Sequence, residues 1–256
     1  MRPLFFIKKQ KNASPVEFQG GSTKVLNMHF DKIYNKGQAR LFKNDFLESL
    51  TKTRPWVIYS LYLPFNAWLL YYAHTVLNFS LGFITGLFFA ALSFWTLFEY
   101  FAHRYLFHYE ATSSLGKKIV YIFHGNHHEY PRDRMRLFMP PVPSIILASV
   151  VFGIIYGASF LITGTGDYAF IFFPGFITGY LIYVSMHYAI HAFAPPRGLK
   201  AIWRNHHLHH YKEPEKAFGV SSVIWDVVFN TLPAKEEAKV NSLKGNRRLE
   251  ETRTPE

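Results

Sequence analysis

Ten of the thirteen histidines in this chain of 256 residues stand in four clusters with the spacing of metal ligands. The clusters read HRYLFH, HGNHH, HYAIH and HHLHH, so a spaced pair is followed by an H-x-x-H-H triplet, twice. The clustered candidates are His103, His108, His124, His127, His128, His187, His191, His206, His209 and His210. Because the chain has no cysteine, a bound metal must take nitrogen or oxygen ligands, and imidazole suits iron, zinc, copper and nickel.

Helical geometry gives these spacings a meaning. Residues at i, i+3 and i+4 share one face of an α-helix, so each triplet is predicted to point three imidazoles at one spot. His187 and His191 are predicted to do the same as a pair. His103 and His108 are about 140° apart on an α-helix, so they need a metal off the helix axis or a helix that ends between them.

Ten neutral imidazoles are too many for one ion, so two metals with about five nitrogens each are the natural division. No amino-acid side chain breaks an unactivated C–H bond, and a cofactor must carry that step. Two redox-active metals beside a bilayer, the location that the apolar stretches described next predict, therefore indicate oxygen chemistry on a lipid chain. Three histidines are set apart from this group: His29 is isolated, His74 lies near the far end of the membrane span predicted below for residues 56–77, and His207 is off the shared face of its triplet.

Two long stretches without basic residues predict the elements that position the clusters. Residues 55–103 hold no Lys or Arg and one acid, Glu99, and residues 137–196 hold no Lys or Arg and one acid, Asp167. Each stretch is long enough for two membrane helices of about 20 residues. The four predicted spans are 56–77, 79–101, 144–162 and 168–187.

The basic residues predict the orientation of these spans. Lys and Arg number eleven in residues 1–54, six in 104–136 and eleven in 197–256, while the two short connections hold none. The positive-inside rule then makes both termini and the central loop cytoplasmic, on the side where the histidine clusters lie. The net charge of +11 is therefore mainly a topology signal, which argues against a nucleic-acid partner.

These observations predict an all-α integral membrane protein in which four transmembrane helices carry a cytoplasmic helical cap with a histidine-ligated two-metal site. Residues 1–54 are expected to form a cytoplasmic or interfacial segment, 55–232 the membrane domain and 233–256 a charged, disordered tail. No signal peptide is visible.

At these residues the sequence resembles the fatty acid hydroxylase superfamily of membrane di-iron enzymes, to which sterol desaturases and carotene hydroxylases also belong. The resemblance covers about residues 41–232 and rests on EYFAHRYLFH, HGNHHEYPRDRMRLFMPPVPS, HYAIH and HHLHHYKEPEKAFGVSSVIWDVVFNT. The RLFMPP and FGVSSxxWD neighbourhoods, with the LFKNDFLESLTKT segment, are closer to the fatty acid 2-hydroxylases, which also act on the acyl chains of sphingolipids.

The resemblance implies that the ten clustered histidines bind two iron ions, that O2 is the co-substrate and that a fatty acyl chain from the bilayer is hydroxylated at C2. Zinc is expected to replace iron in some purified samples, because imidazole accepts both. Eukaryotic 2-hydroxylases often carry a b-type cytochrome domain with a His-Pro-Gly-Gly motif, which this sequence lacks. A separate cytochrome- or ferredoxin-type carrier with its reductase is therefore expected. A bacterial inner membrane is favoured, with the endoplasmic reticulum as the location in a eukaryote.

Two acids are candidates to orient a metal-bound histidine, which usually donates its second N–H to a carboxylate or carbonyl. Glu99 precedes His103 by one helical turn, and its alternative role is structural pairing, for example with Arg104. Asp226 is the second candidate, and its alternative is a surface acid paired with a lysine. Arg136 either meets a carboxylate or head group or anchors the third span at the membrane surface.

An acidic electron carrier is expected to dock on the basic cytoplasmic face, since charge complementarity speeds encounter. The predicted docking patch comprises Lys117, Lys118, Arg132, Arg134, Lys212 and Lys216. The alternative is that these residues serve topology alone.

Two other functions remain open at this point. A sterol desaturase-like or carotenoid hydroxylase is the alternative within the same class. A histidine-rich membrane metal transporter is the alternative of another class, but it should carry polar residues through the midplanes of its spans. The predicted spans have almost none, and the clustered histidines sit at one end of them.

Overall fold

A computed structural model describes residues 33–234, and every regular element among them is helical, which confirms the all-α class. The α-helices of this described part are α1 Asp45–Ser49, α2 Pro55–Thr75, α3 Leu81–Phe101, α4 Ser114–Val120, α5 Asn126–Glu129, α6 Pro141–Thr163, α7 Ala169–Ala192, α8 Lys200–Tyr211 and α9 Ile224–Val228. They are joined by π-helical turns at Ala102–Phe107 and Tyr121–Gly125 and by a 3-10 helix at Arg197–Leu199. His29 and residues 235–256 of the predicted tail lie outside the described residues.

Within the described residues, three helices are long and apolar enough to cross a membrane: α3 with the π turn that follows it, Leu81–Phe107, then α6 and α7. Helix α2 also has 21 residues, and its crossing, the fourth span, stays a prediction. All four long helices begin within a few residues of their predicted positions. Helix α7 continues past its predicted end at residue 187 to Ala192, and so it carries His191 on its last turn.

Helix α7 packs closely against α3, and two glycines make this approach possible. A Cβ atom at Gly175 would lie 2.3 Å from the carbonyl oxygen of Phe88, and one at Gly179 would lie 2.4 Å from Cβ of Trp95. Small residues allow membrane helices to approach in this way. The contact aligns the histidine-bearing ends of α3 and α7 at the same side of the bundle.

A helical cap covers these two ends, and polar contacts fasten it to the spans. The hydroxyl groups of Tyr100 on α3 and Thr231 after α9 are 3.0 Å apart. The segment before α2 is held by Arg136, whose side chain is only 4% exposed and pairs with both Glu48 and Asp133. Both amino groups of this guanidinium are thus engaged by carboxylates of the protein. Arg136 therefore anchors the segment before α2 to the cap.

Candidate metal centre

The ten clustered histidines converge in two groups of five. The His103 group consists of His103, His108, His124, His128 and His209. The His187 group consists of His127, His187, His191, His206 and His210. Within each group, one ring nitrogen per residue lies within 4.8 Å of the corresponding nitrogen of every other member. The groups are neighbours, since the rings of His128 and His210 stack with their centroids 4.2 Å apart.

Each triplet divides its histidines between the two groups, so the prediction that a triplet points three imidazoles at one spot is wrong. The i and i+4 members join the spaced pair that precedes them, whereas the i+3 member crosses to the other group. His127 thus belongs to the His187 group and His209 to the His103 group. The reason is angular: the i+3 and i+4 positions lie on either side of position i, about 100° apart. Rings that project outward in these directions diverge.

A π-helical turn brings His103 and His108 together. The backbone N–H of His108 donates to the carbonyl oxygen of His103 over 3.2 Å, and their ring centroids are 5.1 Å apart. A π-helix closes its hydrogen bonds between i and i+5, so residues five apart lie above one another as residues four apart do in an α-helix. The helix therefore widens at this pair, where the sequence predicted that it would end or that the metal would lie off its axis.

The distances between ring nitrogens fit shared metal ions. Nε2 of His124 lies 3.1 Å from Nε2 of His103 and 3.0 Å from Nε2 of His128. In the other group, Nε2 of His206 lies 2.9 Å from Nε2 of His191. Two nitrogens bound to one ion at about 2.1 Å and at a right angle to each other are about 3.0 Å apart. These are the spacings that an ion between the rings would produce.

Two rings of the His103 group are braced by backbone carbonyls. Nδ1 of His103 lies 2.6 Å from the carbonyl oxygen of Phe218, and Nδ1 of His209 lies 2.7 Å from that of Lys216. A neutral ring that donates through Nδ1 presents the lone pair of Nε2. In both rings Nε2 is the atom that faces the other histidines of the group.

The His187 group contains buried ring nitrogens that have no hydrogen-bond partner among residues 33–234. They are Nε2 of His127 and His187 and Nδ1 of His206 and His210. Buried polar atoms in proteins are normally hydrogen-bonded, and each exception calls for an explanation. A metal ion would supply the missing partner of the two Nε2 atoms, so the donor set of this group also fits a metal.

Burial favours the neutral form of the clustered rings that lie outside the membrane helices. Beyond the membrane helices, the pKa of each of these histidines is lowered, first because burial penalises the charged ring and then because neighbouring rings repel a second charge. They are His108, His124, His127, His128, His206, His209 and His210. Neutral imidazole is the form that binds a metal.

Hydrogen bonds connect Asp226 to His103 through one intervening residue, Phe218. The carboxylate is fully buried and accepts the backbone N–H groups of Phe218 and Gly219, each over 2.9 Å, and the hydroxyl of Thr231 over 2.7 Å. Burial raises the pKa of this carboxyl, against the lowering effect of its hydrogen bonds. The alternative of a surface acid is therefore wrong, and Asp226 holds the residue whose carbonyl braces His103.

Glu99 holds the next part of the same segment. Its Oε1 accepts the backbone N–H groups of Val220 over 2.7 Å and Ser221 over 2.8 Å, and its Oε2 accepts the hydroxyl of Ser221. Its carboxylate is hydrogen-bonded neither to His103 nor to Arg104. Glu99 and Asp226 together fix residues 218–221, which we call the brace segment.

The groups that hold Nδ1 of His103 and His209 are backbone carbonyls. The sequence could not single them out, because every residue has a carbonyl. The glycine of the FGVSS motif was a usable signal. A Cβ atom at Gly219 would lie 2.0 Å from the carbonyl oxygen of Ser222 and 2.8 Å from Oδ2 of Asp226. Only glycine fits this turn, so its presence before the acid indicated a tightly held backbone there.

The structure places two of the remaining histidines outside both groups. Nδ1 of His207 lies 2.8 Å from the carbonyl oxygen of Trp203 within α8, and the ring lines a surface depression. Nδ1 of His74 lies 3.0 Å from the carbonyl oxygen of Phe79, at the end of α2. Neither belongs to a set of potential ligands, as the sequence predicted.

Helices long and apolar enough to cross a membrane, with a cap that helps bring ten histidines together in two adjacent groups of five, define a membrane protein with histidine groups that could hold metal ions. Known proteins narrow this class. A family model of fatty acid hydroxylases matches residues 88–231. The chain belongs to the fatty acid hydroxylase family.

Its relatives are hydroxylases of fatty acyl chains. "Dihydroceramide fatty acyl 2-hydroxylase FAH1" of Arabidopsis thaliana is 35% identical over 202 residues, which are 78% of this chain and 83% of the relative. "Ceramide very long chain fatty acid hydroxylase SCS7" of Saccharomyces cerevisiae is 35% identical over 211 residues, 81% of this chain but 53% of the relative. The solved structure of full-length scs7p, in which only the hydroxylase domain is visible, is 34% identical with a TM-score of 0.70. The match covers 78% of this chain and 74% of the chain in that structure.

Proposed function

We propose that this protein hydroxylates C2 of a fatty acyl chain, a free fatty acid or the acyl chain of a sphingolipid, with O2 as co-substrate. The relatives named above support this reaction, and so does the donor set. The observation that carries the proposal is an apolar cavity of about 370 Å³ that reaches both histidine groups.

The cavity lies beside the histidine groups, where His124, His127 and His187 are among its lining residues. Its other walls are mainly apolar and include Leu50 before α2 and Val184 on α7. Ligand sites for apolar molecules have this character, with few polar groups at the reacting end. A fatty acyl chain fits this lining, and the cavity walls exclude water from the carbon that reacts.

The ten histidines would hold two iron ions, one in each group, and zinc is the expected substitute in purified samples. Iron bound there would supply the oxidising chemistry that C–H cleavage needs. The chain itself selects the position, because C–H bonds along an acyl chain differ little in reactivity. The length and closure of the cavity thus determine which carbon lies beside the His127 and His187 rings.

We place the histidine groups and both termini on the cytoplasmic side of a bacterial inner membrane. A separate acidic electron carrier of the cytochrome or ferredoxin type, reduced by its own reductase, would supply the electrons. The sequence has no cysteine for an iron–sulfur cluster and no glycine-rich dinucleotide motif, which supports the proposal that another protein supplies the electrons.

The direct test is turnover by the purified protein in lipid. Protein loaded with iron, with O2 and an electron source, should convert ceramide or fatty acid to the 2-hydroxy product, and elemental analysis should give close to two metals per chain. Hydroxylation of a sterol or carotenoid instead would support the alternative within the class. Metal uptake into vesicles without any lipid product would support a transporter.

A bulky side chain at the cavity wall tests whether the acyl chain lies there. Leu50→Trp should reduce turnover of long acyl chains several-fold and that of short chains less, since the indole shortens the space available. Leu63→Trp is the matched control, because Leu50 is 54% exposed and Leu63, on α2 and outside the cavity lining, is 53% exposed. Equal effects of both substitutions, or no dependence on chain length, would place the substrate elsewhere.

A further inference from the structure

A second, basic depression reaches the metal centre without touching the apolar cavity. It has a volume of about 420 Å³, and no described residue lines both it and the apolar cavity. Its lining includes Arg132, Arg134, His191, Phe193, His207 and Tyr211. His191 of the His187 group is thus accessible from the surface on a side that the apolar cavity does not border.

We infer that this depression is the docking site of the electron carrier and that electrons enter the metal centre through His191. The inference rests on the proposed function, since only a redox enzyme needs a carrier. His191 is the only member of the His187 group that is partly exposed, whereas the other four are buried. A carrier seated in the depression would therefore approach the bound metal across a single imidazole ring.

The charges around His191 determine the kind of partner. Arg132 and Arg134 are both exposed at the rim, and among the residues that the structure describes no acidic one lines the depression. Arg134 is held in place, because its Nη2 donates to the carbonyl oxygen of Ala192 over 2.9 Å and its guanidinium lies over the ring of Phe193. Positioned arginines bind carboxylates well, so the partner must present an acidic face.

Helix α8 extends this basic surface. Lys200, Arg204, His207 and Tyr211 follow one another at helical spacing on one face, and α8 contains no acidic residue. Because His207 and Tyr211 line the depression, the two cations lie on the continuation of the same face. An extended basic surface of this kind favours a protein partner, since a small anion would need only the two rim arginines.

The electron balance requires such a carrier. Hydroxylation of one C–H bond consumes one O2, two electrons and two protons. One oxygen atom enters the product as a hydroxyl group and the other leaves as water. The carrier is oxidised as it delivers the electrons one at a time, and its reductase restores it.

The inference narrows the docking patch that the sequence predicted. Of its six residues, Arg132 and Arg134 line the depression, whereas Lys117, Lys118, Lys212 and Lys216 line neither opening to the metal centre. A charge reversal at Lys117 and Lys118 on α4 changes the net charge by the same amount as one at the two arginines. This pair is therefore the matched control.

The experiment measures binding of a soluble, acidic b-type cytochrome domain to the metal-loaded protein in lipid nanodiscs. Arg132→Glu together with Arg134→Glu should weaken binding by about tenfold or more and flatten its dependence on salt, as expected for charges at the rim of an interface. Lys117→Glu with Lys118→Glu should change binding little. A basic c-type cytochrome should not bind the wild-type protein by this surface.

A second reaction separates docking from chemistry. Turnover with a small chemical reductant should be the same in Arg132→Glu and wild type, whereas turnover with the cytochrome domain should fall. Arg134 also holds the end of α7, so its replacement affects folding as well as docking. If the double variant does not fold, the single variant Arg132→Glu provides the test. Metal content and thermal unfolding identify that case.

Three results would overturn the inference: binding that ignores both arginines, equal loss in the α4 control, or a loss of affinity for anionic vesicles with unchanged cytochrome binding. The last result would make the depression a site for lipid head groups. If wild-type protein forms product but binding ignores the arginines, only this inference fails. If it forms no 2-hydroxy product with either electron source, the proposed function itself fails.

Discussion

The two histidine groups contain the same number of rings but differ in how those rings are held. In the His103 group, carbonyls of Phe218 and Lys216 accept from two of the rings. The brace segment behind one of them is itself fixed by Asp226 and Glu99. In the His187 group, no ring donates to a backbone carbonyl among the residues that the structure describes, and two buried Nδ1 atoms lack partners.

The group whose rings have fewer supporting hydrogen bonds is also the group that borders both the apolar cavity and the basic depression. The His187 group borders the apolar cavity through His127 and His187 and the basic depression through His191. The His103 group borders the cavity through His124 alone. Partners that orient a metal-bound histidine typically contribute 10- to 100-fold in metal affinity or activity. We therefore expect the ion of the His103 group to be held more tightly and the ion of the His187 group to exchange more readily.

The largest effect should come from removing one ring of either group. His128→Ala should remove the ion of the His103 group and His210→Ala that of the His187 group. Each should lower turnover by more than about 100-fold, beyond the range for residues that only orient a ligand. Elemental analysis of each variant should give about one metal per chain.

His74→Ala is the control for both variants, since this ring lies outside both groups and bonds only to a carbonyl near the end of α2. It should keep two metals and most of the activity. Loss of both metals in either alanine variant would mean that the two groups do not bind independently. Equal loss in the control would place the centre elsewhere.

How much of this centre was predictable depends on the kind of information involved. The ten ring positions and the helices that carry them follow from side-chain identity and hydropathy, which the sequence displays directly. The spacing of a triplet implies that its i+3 and i+4 rings diverge, but the group that His127 or His209 joins does not follow from the sequence, because it depends on which rings of the other helices lie opposite. The π turn at His103 was equally hidden, since no residue type specifies that a helix widens.

The acids illustrate a second limit. Glu99 and Asp226 stood out because a buried charge in an apolar neighbourhood needs a partner. The partner, however, was the backbone of residues 218–221, and the sequence cannot show which N–H groups lie free in space beside a carboxylate. The acids were found, but the segment that they hold required the structure.

An intermediate effect is expected from weakening the brace segment. Asp226→Asn replaces one acceptor oxygen with a donor, which leaves a buried N–H of the segment without a partner and loosens the carbonyl that holds His103. In a His210→Ala background, where only the His103 group binds, the affinity for metal should fall by about 10- to 100-fold. Competition with a calibrated chelator measures this affinity.

The brace is specific to one group, so the same substitution has an internal control. In a His128→Ala background, where only the His187 group binds, Asp226→Asn should leave the affinity almost unchanged. Asp167→Asn, in the turn between α6 and α7, controls for the loss of an acid as such. If Asp226→Asn weakened both groups equally, its role would be general stability of the cap, and the proposed asymmetry would be lost.

The smallest effect is a difference in rate between the two ions of the unmodified protein. Under excess chelator, metal should leave in two phases whose rate constants differ by about threefold to tenfold. The difference is this small because only two of the five rings in the slower group are held by a backbone carbonyl. The variants assign the phases. The fast phase should be missing from His210→Ala, in which the His187 group is broken, and retained in His128→Ala. A fast phase that disappears in His128→Ala instead would reverse the comparison, and the braced group would then be the more labile one.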